Sequence, residues 1–317
     1  MAGRNFRKPG PSGGIEGVCK DDATPLFALF GAFNVGCGII VLMHTTTDHV
    51  HDSEPYGSME DLWNDAPRRA WRSARKKLGL AASADVAVLA KMLKATARMA
   101  ESELRSPISA IQSFPALLAL YQEDITDAAE YAGLRMLKTD SGRQLHELIA
   151  AYAGHGMGLS ESGPECQTSF GFPGCHTVIV EYSENAILLD GRPLDRAHDI
   201  ANYDEDDIRT SFDLGSRSSA TEEQVRDLVL EYLRKVYIGY TKRPWVFPEE
   251  ITVIMTGSRD SVGREEIRMA IADAFSLFGT RAKMLYSDPE FVAARGAAEI
   301  AWRTLLEAEK KKGKIEL

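Results

Sequence analysis

Apolar positions recur along this chain in two rhythms, and the alternation between them predicts an α/β plan repeated in each half. The C-terminal half carries the pattern most clearly. Residues 176–182 (HTVIVEY) form a β-branched run, and 186–190 (AILLD) follow after a short polar break. This predicts two strands joined by a tight turn and closed by Gly191 and Pro193. Residues 208–214 fit a third strand. Val225, Leu228, Val229, Tyr232, Leu233 and Val236 then recur at helical spacing, behind Thr221 as N-cap before Glu222 and Glu223. The continuous apolar run 251–255 (ITVIM) suits a strand in a sheet covered on both faces. Ile267, Ala270, Ile271, Ala274 and Phe278 mark a second helix, and 282–285 a short strand. Phe291, Ala294, Ala298, Ala301 and Leu305 mark the last helix. The predicted order is β-β-β-α-β-α-β-α.

The N-terminal half reads similarly. Strands are predicted at 26–31 and 39–44 around a glycine-bearing turn, with 45–50 as a third. Val86, Leu89, Leu93, Ala97, Ala100 and Leu104 form one helical stripe. A strand at 108–114, a helix at 120–132 bearing Glu123, Asp124 and Asp127, a strand at 134–137 and a helix at 145–152 complete the half. The repeat is architectural and leaves no obvious sequence identity. It predicts a tail (1–24), a first lobe (25–158) and a second lobe (159–317) whose last helix closes a cleft between them. Clefts between domains are where ligands usually sit.

Composition narrows the partners. With 317 residues, 44% of them hydrophobic, the chain exceeds the usual size of one domain. The 37 basic against 46 acidic residues leave a net charge of −9. That surface repels phosphate backbones, and no basic stripe interleaved with aromatics overrides it, so no nucleic-acid partner is expected. The basic run 310–314 reads as a solvated helix end. The first fourteen residues carry charge, proline and glycine but no apolar signal core. No uninterrupted apolar stretch approaches the roughly 20 residues that span a bilayer, so no membrane partner is expected either. The nearest, 25–43, is broken by Asn34, Gly36 and Gly38. Cys166 and Cys175 bracket a Gly/Pro-rich loop and could pair, but free buried thiols are the preferred reading and a cytoplasmic location the expectation.

Three separated motifs carry a family resemblance. Pro115-Ala116, Ala132-Gly133-Leu134, Glu147 and Ala151-Tyr152 resemble a strand ending in Pro-Ala, a helix leading to Ala-Gly-Leu, and a following helix in the first lobe of DnaK-type chaperones. Thr256-Gly257-Ser258-Arg259 resembles the adenosine-binding strand-turn-helix of the actin and DnaK-chaperone superfamily. Asp288, Pro289, Ala294, Gly296, Ala297 and Ala298 resemble its closing helix. The resemblance covers residues 107–158 and 250–302 and extends to fungal chaperone-like proteins, with a setting in secondary metabolism. It implies two ribonuclease-H-like lobes of the actin/DnaK type, with reduced outer subdomains.

The phosphate chemistry of that family is missing. Its two hairpins use glycine-rich turns, whose backbone N–H groups hold phosphates, and an aspartate for Mg²⁺. The first would fall on Ala32-Phe33-Asn34-Val35-Gly36, without the carboxylate. The second falls on residues 181–186, EYSENA, without glycines and with Glu184 adding repulsion. The reading is therefore a degenerate ATPase fold that hydrolyses no ATP and needs no cofactor, its cleft turned to a small organic molecule. Cofactor-free isomerase, cyclase or lyase chemistry would suit such a cleft. Adenine-nucleotide binding and a pure interaction scaffold stand as alternatives.

The candidate catalytic residues are Glu147, Glu181 and Arg259. Gly257, Ser258, Arg259 and Asp288 would serve a surviving adenosine pocket. Glu147 is either a cleft carboxylate able to act as general acid or base, or an exposed helix glutamate. Arg259 is either a ring-stacking or anion-binding group or one half of a surface ion pair. His146 and His155 flank the Glu147 helix in surface or capping roles. His44, Asp48, His49, His51 and Asp52 match no zinc spacing, and no metal site is expected. Asp213 reads as a strand-end turn residue.

Overall fold

The computed structural model describes residues 66–105, 109–111, 113–114, 122–137, 145–159, 175–194, 197, 208–238 and 248–311. The expected strands at 26–31, 39–44 and 45–50, the first hairpin and the histidine-rich stretch lie outside them. The described chain is a mixed α/β structure of eight helices around a five-stranded sheet.

The sheet is built from β5 (Cys175–Tyr182), β6 (Ile187–Leu194), β7 (Ile208–Ser211), β8 (Glu250–Gly257) and β9 (Arg281–Leu285), in the order β7-β6-β5-β8-β9. The β7-β6-β5 meander is antiparallel, whereas β8 and β9 join in parallel. Parallel joins need crossovers. Helices α5 (Glu222–Leu233), α6 (Arg259–Gly263) and α7 (Glu265–Phe278) lie in these connections, and α8 (Val292–Lys311) ends the described chain. The predicted order holds, with the five-residue α6 inserted. Thr221 caps α5 in a reciprocal box with Gln224.

Strand ends differ from expectation in two places. β6 runs through Gly191 and Pro193 instead of stopping before them. A Cβ at Gly191 would stand 2.7 Å from the Tyr232 hydroxyl, so a larger residue there would have to displace that side chain. Pro193 is tolerated because β7 pairs with β6 only as far as Asp190, beyond which β6 has β5 as its partner. β7 ends at Ser211, so Asp213 sits exposed in the following turn.

The two sheet faces are unlike. Directly opposed residues share a face, so Val178, Val180 and Tyr182 join Ile187, Leu189, Val253 and Met255 on one side. Those residues are buried by α5 and α7 through Val225, Val229, Leu233, Ile267, Ile271 and Phe275. The other side carries Thr177, Ile179 and Glu181 beside Arg192, Asp190 and Leu188, and beside Thr252, Ile254 and Thr256.

The first half packs on this second face. Helix α1 (Ala66–Lys77) and α2 (Ala84–Leu104) are followed by β1 (Ser109–Ala110), β2 (Ser113–Phe114), α3 (Gln122–Ala132), β3 (Arg135–Met136), β4 (Leu145–His146) and α4 (Glu147–Gly154). The strand expected at 108–114 is two short pieces with different partners, β1 with β3 and β2 with β4. The helix expected from 145 begins at Glu147, because Leu145 and His146 are spent on pairing with Ser113 and Phe114. Ala150, Ala151, Tyr152 and Ala153 of α4 are buried between the sheet residues Ile179 and Ile254 and the α8 residues Val292, Ala293 and Ala297. Contact between the helices is close: a Cβ on Gly296 would meet the Ala150 carbonyl oxygen at 1.7 Å, and one on Gly154 the Val292 carbonyl oxygen at 1.9 Å. Helices α2 and α3 bury Leu89, Leu93, Ile125 and Ala128 with Ala186, Leu188 and Phe212.

Helix α1 has no counterpart in the sequence prediction. It docks through charge: Arg72, 4% exposed, bonds Asp124 at 2.5 Å and Asp127 at 2.6 Å, and Lys76 reaches Asp127 and Glu130, both at 2.7 Å. Cys175 enters a disulfide, which corrects the free-thiol reading there and removes the cysteine-based argument for the cytoplasm. No helix among the described residues is long and apolar enough to cross a membrane.

Candidate acid-pair site

Three elements meet at one point of the polar sheet face. Strand pairing sets the start of α4 and puts Glu147 on its first turn. Parallel pairing of β5 with β8 puts Glu181 opposite Thr256, one residue before each strand ends. Strand β5 alternates Val178, Val180 and Tyr182 into the apolar side, so parity alone turns Glu181 to the other. In an α/β sheet, the carboxyl ends of parallel strands are where ligands bind.

The structure brings Glu147 and Glu181 together and buries both, at 5% and 2% exposure. Exposure of Glu147 on a helix surface is thereby excluded. Burial, the largest effect, pushes the Glu147 carboxyl up to about 7, although Thr256 and Glu181 favour its ionised form. Burial also raises Glu181 well above the usual carboxylate range, and the neighbouring Glu147 charge adds to it. Like charges in one buried site disfavour double ionisation, so the pair is biased towards keeping a proton.

The arrangement is incompletely satisfied. Glu147 Oε2, Glu181 Oε2 and Thr256 Oγ1 are buried without hydrogen-bond partners. The Thr256 hydroxyl lies close enough to act on Glu147 electrostatically without closing a well-formed hydrogen bond. Thr256 enters the site although the sequence reading assigned it only to a turn motif. The signal was present: Thr177 and Glu181, like Thr252 and Thr256, are polar residues four apart with only apolar residues between them, which marks a face that is not plain core.

Next along the same face, Arg192 bonds Asp190 at 3.1 Å, with both side chains buried. Burial together with the Arg192 charge lowers His146 to about 3, so this histidine is neutral. His146 occupies the α4 N-cap position but makes no side-chain cap. His155 stands at the other end of α4, lowered by burial and by Arg295.

The remaining candidates sit elsewhere. Gly257 has φ +122°, and a Cβ there would meet the Tyr182 carbonyl oxygen at 2.0 Å, so its glycine serves the close β5–β8 approach. Ser258 caps α6 and bonds Ser261, whose hydroxyl lies 2.7 Å from that of Ser216. Arg259 is exposed; its backbone N–H donates to Glu290, and no described contact carries its side chain to the acid pair. Asp288 is half-exposed and bonded to Arg295 at 3.1 Å.

The β5–β6 turn can be read directly. Ser183 and Glu184 carbonyls accept from the N–H groups of Ser216 and Arg217, and the Glu184 carboxylate pairs with Arg217 at 2.8 Å. Gly215 allows this, since a Cβ there would stand 2.4 Å from the Glu184 carbonyl oxygen. The turn is tied to protein groups and offers a carboxylate where a phosphate hairpin offers free N–H donors. Among the described residues, no cluster of three or more histidine, cysteine or acidic side chains is arranged to hold a metal ion.

No protein-family model and no curated protein sequence matches this chain. Among solved structures, the chain is similar to a non-polymerising mutant of the actin-like ATPase MamK bound to AMPPNP, at 12% identity and a TM-score of 0.40, covering 68% of this chain and 75% of that one.

Proposed function

We propose that the chain is a degenerate member of the actin/DnaK-type fold whose two ribonuclease-H-like halves enclose a small-molecule site at Glu147 and Glu181. The observation that carries this reading is the buried carboxyl pair with unpartnered oxygens, Glu181 near the end of β5 opposite Thr256 of β8 and Glu147 on the first turn of α4. A pair holding one proton near neutrality can give that proton to one atom of a bound molecule and take another from a second atom, ending with its own charge unchanged. That is the requirement of a cofactor-free isomerase, cyclase or lyase. A nucleotide triphosphate would face negative charge both here and at Glu184, which argues against ATP in this site.

Calorimetry with a panel of small organic compounds, and with ATP, ADP and adenosine in the presence and absence of Mg²⁺, tests the proposal. Organic ligands should bind the wild type and lose affinity in Glu147→Gln and Glu181→Gln. Tight Mg²⁺-ATP binding unaffected by both substitutions would replace this reading with a nucleotide-binding one.

A further inference from the structure

Among the described residues, the acid pair has no cation of the kind that buried carboxylates ordinarily have. Neither Glu147 nor Glu181 forms an ion pair with a described arginine, lysine or histidine, and the nearby Arg192 is engaged by Asp190. The three oxygens without partners, Glu147 Oε2, Glu181 Oε2 and Thr256 Oγ1, come from three different elements. Thr256 is 1% exposed, so its hydroxyl has no recourse to water at the surface. Buried polar atoms are almost always paired, and an exception calls for an explanation.

We propose that this site takes the primary ammonium group of a small organic amine, an assignment that rests on reading the acid pair as a small-molecule site. One tetrahedral cation carries three N–H donors for three oxygens, and its charge offsets that of the pair. A planar guanidinium is matched instead to the two oxygens of one carboxylate. Mg²⁺ or Ca²⁺ needs about six or more oxygen ligands, against two carboxylates and one hydroxyl here. An anion is excluded by sign.

Thermal unfolding and calorimetry of the full chain at pH 8 test the assignment with methylammonium, benzylamine, tetramethylammonium, MgCl₂, CaCl₂ and benzyl alcohol. Primary amines should raise Tm by about 3 °C at ten times their dissociation constant. Tetramethylammonium, equally charged but without N–H donors, should leave it unchanged. The shift should vanish in Glu181→Gln, weaken about ten-fold in Thr256→Val and survive in Thr256→Ser. The near-isosteric Val and Ser variants keep the test valid should the glutamine variant fail to fold. Equal stabilisation by tetramethylammonium or by a divalent ion overturns the amine assignment. Binding of benzyl alcohol without any amine overturns it while leaving the small-molecule reading intact. Silence towards every organic compound overturns both.

Discussion

At the scale of single residues, Glu147 sets a pH dependence whose sign follows from its burial. A carboxyl raised in the folded state contributes no penalty below its unfolded value near 4.5. Its cost grows as pH rises towards about 7 and is constant beyond. Glu181 acts in the same direction. His146 opposes them, because a histidine lowered to about 3 weakens the fold as pH falls through 6.5. The difference between Glu147→Gln and wild type isolates the acid. Glu147→Gln should match wild type at pH 4 and exceed it by up to about 3 kcal/mol at pH 8 in denaturant unfolding. A constant difference across that range would show that folding does not raise the Glu147 carboxyl above its unfolded value. Gly257→Ala should lose about 3 kcal/mol or more, since both its φ of +122° and the Tyr182 carbonyl stand against a side chain.

At the scale of elements, two helix contacts make opposite demands. Helices α4 and α8 touch through backbone, so Gly296→Ala must push them apart and is expected to cost several kcal/mol, visible as a lowered urea midpoint. Helices α1 and α3 meet through charge. Arg72→Ala would leave Asp124 and Asp127 buried without their main cation, and unfolding experiments should show a loss of about 3–5 kcal/mol. This contact explains why α1 escaped the sequence analysis. Its docking face is an arginine and a lysine, so apolar periodicity had nothing to detect, although the acids it meets at Glu123, Asp124 and Asp127 were noticed. Helices α2, α5 and α7 were legible for the converse reason: each buries an apolar stripe at helical spacing.

At the scale of the whole molecule, the described β5–β6 turn predicts that Mg²⁺-ATP turnover is absent. Phosphoryl transfer depends on donors and metal positioned around the phosphates. Here the turn spends its carbonyls on Ser216 and Arg217 and presents Glu184. Phosphate release above a buffer blank, lost in Glu147→Ala, would count against this. What the sequence determined by itself is whatever depends on neighbours a few residues away. The element order of the second half, the Thr221 cap and the continuous core strand at Ile251 follow from local periodicity and local hydrogen bonding. Glu147 and Glu181 could be named as candidates, but their partnership could not be derived from the residues alone. They are 34 positions apart, and it is the pairing of β5 with β8 together with the packing of α4 against Ile179 and Ile254 that lets Glu147, Glu181 and Thr256 meet. Tertiary structure also decided that the pair is buried. Solvation is a property of everything packed around a side chain, and it is what raises these carboxyls into the range where one proton can be shared.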